Sequence, residues 1–176
     1  MSRLDSFIRR LEAQRACLNF AAELVRELDG EVLELGLGNG RTYDHLKELF
    51  PDRDIYVCER TIAAHPDCVP PRRLLMIGDM RKTLPAARQR LAGRVALAHL
   101  DPGTGDAAAS KALAEEVAPL IIPLLRIGGV LVSEPATGVD EFQSLPLPQG
   151  VQPGRYHLYR RISLRSSALP GHGPTR

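Results

Sequence analysis

The chain contains no tryptophan, aromatics make up only 5% of it, and just three of its 23 basic residues (Lys47, Lys82 and Lys111) are lysines. So few aromatics leave little for a base-stacking platform, which argues against single-stranded nucleic acid as a ligand. The net charge of +2 is too small to suggest a nucleic-acid partner by itself. Cys17, Cys58 and Cys68 are odd in number and include no C-x-x-C pair, so they read as reduced thiols of a cytoplasmic protein, with nothing to suggest zinc. No apolar run approaches the roughly 20 residues that span a bilayer, and Met1-Ser2-Arg3-Leu4-Asp5 leads into a charged helix without the apolar stretch of a signal peptide. A membrane partner is therefore not expected.

What is present suits an ordinary globular domain. The 176 residues, 44% hydrophobic and 25% charged, are enough for one core without staples. One domain is expected over 1–165, followed by a flexible tail at 166–176 with two Pro and two Gly. The arginine excess has two readings: a genome whose codons favour Arg and Ala, or recognition of an anion.

Leu4, Leu11, Leu18 and Val25 recur every seven residues beside Phe7, Ile8, Ala21 and Ala22, which predicts an amphipathic helix from Leu4 to Leu28 stopped by Asp29-Gly30. Gln14 and Arg15 interrupt the stripe. Arg15 either snorkels at the edge of the apolar face or turns inward to meet an anion. A stripe this long raises a homo-oligomer through the N-terminal helix as the alternative to burial within the chain.

From Glu31 strands and helices alternate. Glu31 to Leu35, Asp54 to Cys58, Arg73 to Ile77 and Val95 to Leu100 read as apolar strands, with a fifth at Val130 to Ser133 after a Gly128-Gly129 turn. Helices are expected from Thr42 to Phe50, from Pro85 to Leu91, and after Asp106 as N-cap, the last broken or kinked by Pro119 and Pro123. Between the second and third strands Pro66, Pro70 and Pro71 leave a short helix or none. Phe142 to Leu147 and Arg155 to Leu164 read as a closing hairpin. The sum is an α/β fold with a Rossmann-like, doubly wound, mostly parallel sheet of about seven strands.

The strongest motif is Glu34-Leu35-Gly36-Leu37-Gly38-Asn39-Gly40, a glycine turn from strand to helix. It lets the backbone approach a ligand and offers helix N–H groups to it. The third glycine is Gly40 and Arg41 follows, so the run is G-x-G-x-G and not the G-x-G-x-x-G of dinucleotide enzymes. Glu59 follows the second strand 23 residues after Gly36, placed to accept from both ribose hydroxyls of a nucleoside. Gly78-Asp79-Met80 follows the third strand, and Asp101-Pro102-Gly103 the fourth, so four stations stand at carboxyl ends of strands.

In this order and spacing, Glu31 to Leu164 resembles the class I S-adenosylmethionine-dependent methyltransferases. The likeness is to a small bacterial stand-alone group described only as S-adenosyl-L-methionine methyltransferase. The resemblance implies S-adenosyl-L-methionine as cofactor, with Gly36, Leu37, Gly38 and Asn39 beside its methionine portion. Glu59 would hold the ribose with Arg60 next to it, and Gly78, Asp79 and Met80 would border the adenine. Asp101 would lie near the sulfonium as the candidate catalytic residue, and an inward Arg15 would pair with the cofactor carboxylate. His99, on a buried-looking strand, reads as a satisfied core residue.

The acceptor is expected to be a small molecule. Asp101-Pro102-Gly103-Thr104 departs from the Asn/Asp-Pro-Pro-aromatic run of amino-group DNA methylases. Asp101 and Glu134 end neighbouring strands but are too few for a hard-metal site. The alternatives are a cofactor-binding partner subunit without catalysis, a protein or RNA methyltransferase, and an aminopropyltransferase or NAD enzyme, which the glycine spacing disfavours.

Overall fold

The structure is a computed structural model that describes residues 2–103 and 105–163. The tail expected from Ser166 and the strand end at Leu164 lie outside the described residues.

Helix α1 (Arg3–Leu24) starts at a capping box in which Ser2 and Asp5 bond each other's backbone N–H. Strand β1 (Glu31–Leu35) leads into α2 (Arg41–Leu49), and β2 (Ile55–Glu59) reaches β3 (Leu75–Ile77) through two single 3-10 turns. Then follow α3 (Met80–Leu91), β4 (Val95–Leu100), α4 (Ala107–Ile121), β5 (Leu125–Ser133), β6 (Phe142–Ser144) and β7 (His157–Arg161). The seven strands form one sheet in the order β3-β2-β1-β4-β5-β7-β6. β1 to β5 run parallel, and β7 lies antiparallel to both β5 and β6.

Both faces are covered, which is why β4 is buried along its whole length. Leu33, Leu35, Leu100 and Leu131 pack with Leu84, Leu91 and Ile121 of α3 and α4. On the other face Val32, Val57, Leu97 and Val132 pack with Cys17, Leu18, Ala21 of α1 and Leu46 of α2. Strand order reverses between β1 and β4, and a parallel sheet opens a crevice at such a point.

Several boundaries differ from the sequence reading. α1 stops at Leu24, and its first two turns leave Leu4, Phe7 and Ile8 exposed. α3 begins at Met80, five residues before Pro85, because Asp79 caps it by accepting from the Arg81 N–H at 2.9 Å. Pro85 thus lies inside the helix, as does Pro119 in α4. Pro71 and the turn at Arg72–Leu74 shorten β3 to three residues. Gly128 and Gly129 lie within β5 as an irregularity: Val95 pairs with Leu125, but Leu97 pairs with Val130.

Candidate functional site

The glycine turn connects β1 to α2 with Gly36, Gly38 and Gly40 all at positive φ. A Cβ at Gly36 would clash with the Asp101 carbonyl oxygen, and one at Gly40 with the Cys68 side chain. Gly38 is different: nothing lies within 4 Å of where its Cβ would be. Gly36 and Gly40 are therefore glycines for packing, whereas Gly38 borders open space.

That space is a cleft of about 460 Å³ over the carboxyl ends of β1, β2 and β4. Gly36, Leu37, Gly38, Asn39, Glu59 and Asp101 line it from the sheet. Phe7, Arg10, Leu11 and Gln14 line it from α1. Sequence stations separated by up to 65 residues thus meet in one place, as their positions after successive strands require.

Glu59 is more fully engaged than a ligand-holding carboxylate in waiting. Its Oε2 accepts from the backbone N–H of Leu37 at 2.8 Å and of Gly38 at 3.1 Å. Its Oε1 accepts from Arg60 at 2.6 Å and Thr61 at 3.3 Å. Burial pushes this carboxyl up, but the four N–H groups outweigh burial and hold it below its ordinary value. Glu59 therefore clamps the glycine turn to the end of β2.

At β4 the sequence reading needs a correction. Arg15 is exposed and borders a groove with Gln149, Gln152 and Arg155, away from the cleft. The inward side chains of that stretch are Arg10 and Gln14, one helical turn apart on one face. Arg10 Nη2 donates to Asp101 Oδ1 at 2.9 Å and Oδ2 at 2.7 Å, and Gln14 Nε2 donates to Oδ2 at 2.9 Å. The buried Tyr156 hydroxyl donates to the same oxygen at 3.4 Å. Asp101 thus joins α1 and the start of β7 to the sheet. The interruption of the apolar stripe at Gln14 was the signal that could have found this contact.

Gly78, Asp79 and Met80 stand beside β2, where Gly78 N–H donates to the Glu59 carbonyl at 2.9 Å. None of the three is among the residues bordering the cleft. Met80 is buried in the core, and Asp79 is occupied as the α3 cap and in an ion pair with Arg81. Arg60 is exposed next to Glu59, also outside the lining.

Beneath the turn, Glu34 and His99 are both fully buried. His99 Nδ1 lies 2.8 Å from Glu34 Oε2, while Thr42 donates its hydroxyl to Glu34 Oε1. Burial alone would push His99 down; Glu34, and next Asp101, outweigh it and raise its value. His99 is only half the satisfied core residue expected, since its Nε2 has no partner among the described residues.

A second pocket of about 330 Å³ adjoins the cleft, and Arg10, Asp101 and Gly103 border both spaces. Gly105, Asp106, Ala107, Ser110 and Glu134 also line it. Burial, and then the neighbouring Asp101, raise the Glu134 carboxyl above its ordinary value. Among the described residues no group of three or more His, Cys, Asp or Glu could hold a metal ion.

Residues 1–161 match the protein family described as S-adenosyl-L-methionine methyltransferase. The fold is similar to the crystal structure of an S-adenosyl-L-methionine methyltransferase from Silicibacter pomeroyi DSS-3, with 45% identity and a TM-score of 0.87 over 92% of this chain and 99% of that one. At the level of fold alone it is similar to human methyltransferase-like protein 13 in complex with SAH, with 14% identity and a TM-score of 0.53 over 90% of this chain and 85% of that one. It is likewise similar to the MycE methyltransferase of the mycinamycin pathway, with 15% identity and a TM-score of 0.51 over 85% of this chain and 47% of that one. No curated protein matches the sequence.

Proposed function

The chain belongs to the S-adenosyl-L-methionine methyltransferase family, and from that premise we propose that it methylates a small-molecule acceptor bound beside Asp101. The observation that carries this reading is the shared border: Arg10, Asp101 and Gly103 line both the cleft and a smaller pocket beside it. One space suits the cofactor and the other an acceptor.

The cleft fits the cofactor on two counts. Gly38 leaves open space where any other residue would project a Cβ. Its charged lining residues (Arg10, Arg41, Glu59 and Asp101) include both signs, as a zwitterionic amino-acid end requires. Gly36, Leu37, Gly38 and Asn39 would lie along the methionine portion, and Glu59 would hold the ribose. Because all four N–H partners of Glu59 are backbone groups, that role requires Leu37 or Gly38 to yield a place to a hydroxyl. Arg60, Gly78, Asp79 and Met80 would border the adenine only from outside the present lining. When bound, the cofactor supplies an electrophilic methyl on a sulfonium.

Alignment of the two ligands is the main contribution asked of the protein. Asp101, held among the described residues by Arg10, Gln14 and Tyr156, positions the site more than it moves protons. Glu134, whose carboxyl is raised by burial and then by Asp101, lines the second pocket and is better placed to accept a proton from the acceptor. The free, largely buried thiols support the cytoplasmic assignment. The exposed Leu4, Phe7 and Ile8 support a homo-oligomer through α1.

The test is transfer of labelled methyl from S-adenosylmethionine into fractionated extract. Label in the small-molecule fraction is expected. Label in protein or RNA would replace the acceptor class, and no label despite cofactor binding would favour the partner-subunit reading.

A further inference from the structure

We propose that the groove between α1 and the segment leading into β7 docks an acidic, extended peptide segment of a protein partner. The inference goes beyond the methyl-transfer reading, because none of the groove's residues borders the cleft or the second pocket.

The groove encloses about 580 Å³. One wall is the α1 face bearing Arg9, Glu12, Ala13 and Ala16, spaced as residues on one side of a helix must be. Gln149, Gly150, Val151 and Gln152 form the other, and Arg15 and Arg155 border it too. Three guanidinium groups meet a single carboxylate there, so the lining is net positive. Arg15 is exposed and takes part in no ion pair or hydrogen bond among the described residues. Arg155 is half-buried, and its Nη2 donates to the neutral Ser6 Oγ at 3.4 Å. It forms no ion pair among the described residues, and Glu134 feels its charge only through space. A cation so placed gains from an arriving carboxylate.

The chemistry of the walls selects the occupant. From Arg9 to Ala16 the helix rises about 10 Å, the span of about three residues of extended chain. Gln149 and Gln152 are exposed, and each carboxamide offers a donor and an acceptor, the complement of a peptide unit. Guanidinium groups match carboxylates through paired N–H groups. Ala13 and Ala16 keep the helix wall low, so a backbone can approach it. No aromatic side chain is among the lining residues, so the bases of a single-stranded nucleic acid would find nothing to stack on.

Fluorescence anisotropy with labelled hexaglutamate tests the proposal. Hexaglutamate should bind at least about tenfold more tightly than hexaglutamine, and more weakly as salt rises. Arg15→Glu combined with Arg155→Glu should weaken it about tenfold. Arg72→Glu combined with Arg88→Glu makes the same charge change at exposed positions outside the groove and should not. No binding, equal binding of hexaglutamine, or equal losses in the two double variants overturns the proposal. Tripolyphosphate or hexauridylate displacing the label at lower concentration than unlabelled hexaglutamate overturns the peptide assignment. If Arg155→Glu does not fold, Arg15→Glu combined with Gln152→Glu, both at exposed positions, gives the same reading against the same control.

Discussion

Glu34 and His99, opposite each other on β1 and β4, form a 2.8 Å contact in which neither side chain is exposed to solvent. Breaking such a pair strands a buried charge and costs about 3–5 kcal/mol. Glu34→Ala should lower stability by that order in urea unfolding. The raised His99 value sets the pH dependence. The contribution of its charged form is fully present below the ordinary 6.5 and disappears as pH rises through the higher folded value. Urea midpoints should therefore fall on the alkaline side, and His99→Gln should flatten that slope. A slope unchanged in the variant would place the titration elsewhere.

The glycines should separate into two kinds. Gly36→Ala drives a Cβ into the Asp101 carbonyl and should prevent stable folding, seen as loss of a cooperative melt. Gly38→Ala meets no neighbouring atom, so only its φ of +52° opposes the change, costing about 1 kcal/mol. It should fold yet bind S-adenosylhomocysteine more weakly, because its methyl enters the cleft.

Glu59→Ala removes the acceptor for four backbone N–H groups. Water reaches this site, so a stability loss of about 1 kcal/mol is expected. Cofactor affinity should drop about tenfold by titration, and unchanged affinity would show that the ribose is held elsewhere. The depressed carboxyl stabilises the fold above its ordinary 4.5, and this is lost as pH falls through the lower folded value. The variant should lack that portion of the acid transition.

Light scattering tests the exposed start of α1. A homo-oligomer that Leu4→Glu and Ile8→Glu dissociate is expected. A wild-type monomer at every concentration would assign those side chains to solvent.

The sheet was legible because apolar strands bounded by glycine and proline have few alternatives, and the glycine turn was legible because its spacing is short-range. Arg10 was not. A heptad stripe fixes which helix face is apolar but leaves the flanks undecided, and here the flank bearing residues 10 and 14 faces Asp101. Pro85 misled for a related reason: Asp79 caps α3 a turn and a half earlier, and the helix carries the proline at the loss of one internal hydrogen bond, so its position does not mark the first turn. Asp101 itself was found by its place after β4, but its partners are 91, 87 and 55 residues distant, beyond any local pattern.

Those separations also order events during synthesis. The glycine turn and Asp101 leave the ribosome well before Tyr156, which donates to Asp101. A nascent chain ending short of β7 therefore carries the cleft's floor without the strand that pairs with β5. Such a chain exposes the β5 edge to neighbours, so stalled or truncated products should aggregate where the finished protein does not.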